Sequence, residues 1–121
     1  MKIYDKLSTY LGSKQRRHTS NVATWVERVT DDAIAVVYKS VRIVMAHKDG
    51  GVVLDRGLLF SPTAMKRMQY VLRGSRLIMR CSKNRWYIVD RVTGVEMDYY
   101  DGMVLKYRDY RIDGHLQKTS I

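Results

Sequence analysis

Arg76, Arg80, Lys83, Arg85 and Arg91 fall within one short stretch of the chain, with Tyr87 among them. Guanidinium and ammonium groups bind phosphate oxygens, and a tyrosine ring stacks on a nucleobase. Lys66, Arg67 and Arg73 precede this stretch. Residues 61–91 hold eight basic groups against one acidic, whereas residues 92–121 hold four against five. A surplus gathered in this way favours a polyanionic partner, because each neutralised phosphate releases a condensed counterion. The candidate nucleic-acid-binding residues are therefore Lys66, Arg67, Arg73, Arg76, Arg80, Lys83, Arg85 and Tyr87. The plainer reading is a solvated face on which Tyr87 fills a cross-strand pair.

The other chemistries have weaker claims. His18, His47 and His115 stand alone, without the paired spacing of a zinc site. Asp90, Glu96, Asp98 and Asp101 lie close in sequence, but strand alternation splits them between two faces. No glycine-rich phosphate loop and no base–nucleophile pair is present, so no metal, no cofactor and no enzymatic activity is expected. Cys81 reads as a small core-facing hydrophobe. Tyr99, Tyr100, Tyr107 and Tyr110 crowd the C-terminal region and form the candidate surface for a protein partner. The KQRRH run at 14–18 reads as an exposed connector or a basic arm for a groove.

These residues need elements to hold them. Ile3, Leu7, Tyr10 and Leu11 recur at helical spacing ahead of Gly12, which predicts a short N-terminal helix. Residues 12–21 form an exposed basic connection. Strands follow over 24–30, 33–38, 41–46 and 52–55, separated by polar turns such as Asp49-Gly50-Gly51. Ser61 as N-cap and Pro62 at the first helical position open a helix over about 61–73, with Met65, Met68, Val71 and Leu72 on one face. A two-residue turn at Lys83-Asn84 would place Cys81 opposite Trp86, Met79 opposite Ile88, Arg80 opposite Tyr87 and Ile78 opposite Val89. Each face then keeps its character. A turn at Thr93-Gly94 would set Arg91 against Glu96 and Tyr87 against Tyr100. Asp101-Gly102 would turn the chain into a last strand over 104–110, and residues 113–121 form a loose tail.

The expectation is an α+β fold: one antiparallel sheet of six or seven strands with a packed helix and a short N-terminal one. All 121 residues form a single domain. The net charge of +10 and 45% hydrophobic content exclude a disordered chain, and a single cysteine excludes an internal disulfide. There is no signal-peptide core and no apolar run of membrane-spanning length, so a cytoplasmic protein is expected.

The segment IAVVYKSVRIVMAHKDGGVVLDRGLLFSPTAMKRM, followed by RWYIV and YYDGM, resembles small, mostly uncharacterised proteins of tailed bacteriophages. Ile34–Val37, Asp49-Gly50, Thr63, Arg67-Met68, Trp86-Tyr87 and Asp101-Gly102 stand at the matching places. The family's glycine–tryptophan segment here reads Gly57-Leu58-Leu59-Phe60, and its threonine pair reads Thr63-Ala64. The resemblance implies a phage origin, a compact α+β fold and expression in a bacterial host cytoplasm. Two functions follow as expectations: a phage accessory protein that binds DNA or RNA, or a host-takeover or anti-defence protein that binds and inhibits a host protein.

Overall fold

The computed structural model describes residues 2–57, 59 and 61–106. The chain runs α1 (Ile3–Leu11), β1 (Arg16–His18), β2 (Thr24–Thr30), β3 (Ala33–Tyr38), β4 (Val41–His47), β5 (Val52–Leu54), α2 (Pro62–Leu72), β6 (Leu77–Ser82), β7 (Arg85–Asp90), β8 (Glu96–Asp98) and β9 (Met103–Leu105). The fold is α+β. Six strands form one antiparallel sheet in the order β1-β2-β3-β4-β5-β9, and three form a second in the order β6-β7-β8.

Local chemistry explains most element boundaries. α1 buries Ile3, Tyr4, Leu7 and Leu11 and stops at Gly12, whose φ of 58° is costly for any residue with a Cβ. β3 and β4 turn at Lys39-Ser40, both with positive φ, the backbone of a tight hairpin whose twist matches the strands. Ser61 Oγ accepts the Thr63 N–H at 3.1 Å, and Pro62 opens α2 behind it. α2 buries Ala64, Met65, Met68, Val71 and Leu72. These side chains join α1, both sheets and β9 in one hydrophobic cluster, so a single core spans both sheets.

Three sequence expectations change. The run at 14–18 is not an arm: the edge of β2 takes up Arg16–His18 as β1, and Arg17 donates to the Tyr10 carbonyl at 2.8 Å while lying over its ring. The connection is exposed but tied down. Cys81 is exposed rather than core-facing, because β6 is covered only as far as Met79 and its end projects beyond the core. The last strand does not pair with β8. Met103–Leu105 pairs with β5, where Met103 and Leu105 are buried and Val104 faces out. The Gly102 N–H donates to the Leu54 carbonyl at 2.8 Å, and Asp101 accepts from the Arg56 N–H, so the turn is anchored to β5 from its first residue. Residues 107–110 of that expected strand and the tail at 113–121 lie outside the described residues.

Met68 is fully buried, which places the methionines of α2 in the core and not on a dimer seam. Met68→Ala is expected to lower the unfolding free energy by about 2–4 kcal/mol. Urea denaturation checks this, and the loss should not vary with protein concentration.

Candidate nucleic-acid interface

The hairpin β6–β7 has the register its sequence implies. Cys81 faces Trp86, Arg80 faces Tyr87, Met79 faces Ile88 and Ile78 faces Val89, around a turn where Lys83 and Asn84 have φ of 52° and 63°. Leu77, Met79 and Ile88 point into the core. Ile78, Arg80, Arg85, Tyr87 and Val89 therefore share the outer face.

The next pairing differs from the expected one. Glu96 faces Val89 and Asp98 faces Tyr87, two residues out of step. The cause is Asp90. It is 1% exposed, and its carboxylate accepts from the N–H groups of Val92 and Thr93, while its own N–H reaches the Val95 carbonyl. The turn thus spans Asp90 to Val95 instead of closing at Thr93-Gly94. Arg91 is released from Glu96 and donates to the Ser75 carbonyl at 2.7 Å.

The carboxylates then divide the predicted cations. Arg76 Nε lies 2.6 Å from Asp90 Oδ1 and is committed to a buried pair. Burial raises the Asp90 carboxyl pKa, but the Arg76 bond and the two backbone donors outweigh it and hold the group below its ordinary value. Arg85 Nε meets Asp98 Oδ1 at 2.5 Å, and this bond raises the arginine pKa above normal. Arg85 also lies 4.8 Å over the Tyr87 ring, so the exposed hairpin face holds an acidic partner for its cation. Arg80 and Lys83 remain exposed there.

α2 splits the remainder. Arg67 turns towards β2 and β3, where its Nε donates to Thr24 Oγ1 at 3.2 Å and its guanidinium lies 5.8 Å from the Tyr38 ring. Lys66 and Arg73 turn the other way. With Gln69, Tyr70, Ile78 and Arg91 they line a groove of about 360 Å³ between α2 and β6, which no carboxylate among the described residues lines. Gln69 Nε2 donates to the Met79 carbonyl at 2.7 Å and docks the helix on the free edge of β6. Tyr70 is 57% exposed and sits between two cations, Lys6 at 5.9 Å and Arg73 at 6.0 Å from its ring centre. Lys6 Nζ also donates to the Arg73 carbonyl. Desolvation, then the Arg73 charge, lowers the Lys6 pKa. Arg80 shares the face of Ile78 two residues along β6, which carries positive charge about 7 Å beyond the groove.

Thus the structure brings together Lys66, Arg73 and, at the flank, Arg80. It ties Arg76 and Arg85 to carboxylates and sends Arg67 elsewhere. Lys83 and Tyr87 lie on the projecting hairpin. Lys6, Gln69 and Tyr70 were not among the sequence candidates, and Arg91 stood in the basic stretch but opposite Glu96. Tyr70 and Gln69 follow from helical spacing with Lys66 and Arg73, whereas Lys6 and Arg91 arrive only through tertiary packing.

The tyrosine surface is not assembled among the described residues. Tyr99 is half-buried, with its hydroxyl donating to Asp101 Oδ1 at 2.6 Å. Burial, then Asp101, raises its pKa. Tyr100 is 54% exposed, and Tyr107 and Tyr110 lie outside the described residues. Among the described residues, no three His, Cys, Asp or Glu side chains gather as metal ligands, and no helix is long and apolar enough to cross a membrane. No family model, curated protein or solved structure matches the chain.

Arg76→Ala would leave Asp90 buried without its cation and is expected to cost about 3 kcal/mol of stability. Asp90 has a lowered native pKa, so its contribution is present above the unfolded carboxyl pKa and is lost as pH falls through the native value. Denaturation curves of the native protein should weaken below about pH 4, and Asp90→Asn should flatten that acid limb.

Proposed function

We propose that this is a small accessory protein, phage-encoded as the resemblance of its central segment implies, that binds DNA or RNA along the α2–β6 groove. The observation that carries this reading is the composition of the groove. Lys66, Arg73 and Arg91 converge there with an exposed tyrosine ring and, among the described residues, no carboxylate. The three cations would take consecutive phosphates of one backbone. Tyr70 would stack on an unpaired base, which favours single-stranded segments over duplex. Arg80 would extend the track towards the hairpin. The role is that of a binding protein with no catalytic step.

The reading in which the protein blocks a host protein would draw on the exposed Tyr100. A pull-down from bacterial lysate separates the two, because a stoichiometric partner that survives nuclease treatment belongs to the host-protein reading.

Fluorescence anisotropy with labelled 20-nucleotide single strands, at several salt concentrations, tests the groove. Affinity should fall steeply as salt rises, and Lys66→Ala/Arg73→Ala should reduce the logarithmic salt slope by about 1.4, two contacts at about 0.7 each. Tyr70→Ala should weaken binding by about tenfold, a lost stacking contact. Arg85→Ala should change the slope little. Absence of binding at low salt, or equal losses from Arg85→Ala and the groove variant, would contradict the assignment.

A further inference from the structure

On the opposite flank of α2 lies a larger cavity, of about 540 Å³, enclosed by α1, the turn at residues 19–24 and α2. We propose that this cavity binds a small amphipathic acid, with one anionic group on an aromatic or branched aliphatic body. The proposal is independent of the groove.

The floor is apolar. Leu7 of α1, Val26 of β2, Val36 of β3 and Val71 of α2 line it, and each is nearly inaccessible from outside. The space lies over these side chains and opens past the exposed Thr9, Ser20 and Tyr70. Its volume falls within the range of small-molecule sites, which are mainly apolar with a few placed polar groups. A ligand body seated here would remove mainly its own apolar surface from water.

The charged groups are of one sign. Lys6 and Arg67 are the charged residues in the wall, beside neutral Thr, Ser and Asn side chains, and among the described residues no carboxylate lines it. Arg67 is positioned in advance. Its Nε donates to the hydroxyl of Thr24, which is 2% exposed, and its guanidinium carbon lies 5.8 Å from the Tyr38 ring centre. The Thr24 hydroxyl donates in turn to the Val22 carbonyl at 2.8 Å, which fixes its orientation. One edge of the guanidinium is thus anchored to a buried hydroxyl, and the terminal amino groups remain for an anion. Such preorganisation lowers the ordering cost of binding. Lys6, already partly desolvated and beside Arg73, also gains from an anion. A cation would meet two like charges there.

Tyr70 lines both the cavity and the groove, but the cations are separate: Arg67 belongs to the first, and Lys66 and Arg91 to the second. The two sites can therefore be tested apart.

The probes are 8-anilinonaphthalene-1-sulfonate and its uncharged counterpart N-phenyl-1-naphthylamine, which lacks the sulfonate. Fluorescence titration of the full chain should show one saturable site for the sulfonate, and binding of the uncharged probe at least tenfold weaker. Arg67→Gln should weaken the sulfonate about tenfold, as expected for a lost charge-assisted hydrogen bond, and leave nucleic-acid binding unchanged. Lys66→Ala/Arg91→Ala should leave the sulfonate affinity as it is. Decanoate should displace the probe. Equal affinity for the two probes, no effect of Arg67→Gln, or displacement by anionic phospholipid vesicles but not by decanoate would each overturn the proposal. Should Arg67→Gln alter the thermal unfolding midpoint, the comparison of the two probes on the unmodified chain still decides it.

Discussion

β6 enters the small sheet with one edge paired to β7 and the other open, and an open edge of unpaired backbone groups has to be covered. α2 does this, and the rest of the site depends on it. The bond from Gln69 to the Met79 carbonyl fixes the helix alongside the strand, with Met65, Met68 and Leu72 driven into the core beneath. Once the helix lies there, its next exposed row, Lys66, Tyr70 and Arg73, faces the outer side of β6. The groove is the seam left between helix and strand. The same placement leaves the cavity on the other flank, where the helix meets α1.

A second constraint acts on charge. The chain carries many more cations than anions, but the few carboxylates near the basic segment are not spread evenly. Asp90 is buried and draws Arg76 to it, and Asp98 sits across from Tyr87 and holds Arg85. The hairpin face therefore has its own counter-ions, and the positive field is left over the α2–β6 seam, which no carboxylate among the described residues lines. An exposed pair such as Arg85–Asp98 adds little stability. Its effect here is to cancel charge on the hairpin face.

Much of this was legible in the sequence. The Ser61-Pro62 start of α2, the Gly12 stop of α1 and the β6–β7 register all follow from local rules, because each depends on a few neighbouring residues and on strict alternation of apolar side chains. The failures share a cause. At Thr93-Gly94 the turn preference is real, but a buried Asp90 collecting backbone N–H groups lengthens the loop and shifts the register by two, which keeps every face and changes every partner. At Asp101-Gly102 the turn forms, yet the strand after it finds β5, far away in sequence, because Met103 and Leu105 fill the core beside Val52 and Leu54. Arg91, which a turn at Thr93-Gly94 would set against Glu96, is freed because the shifted register pairs Glu96 with Val89. Its place in the groove, like that of Lys6, is set by packing between elements that no local pattern encodes.

The account rests on the groove, and not the hairpin face or the β1 edge, being the surface that meets phosphate. Amide chemical-shift mapping of the uniformly 15N-labelled protein, titrated with an unlabelled 12-nucleotide single strand at low salt, tests this directly. The largest shifts should fall on residues 66–74, Ile78 and Arg91. Largest shifts at Arg85 to Tyr87 or at Arg16 to His18, with the α2 amides unmoved, would contradict it.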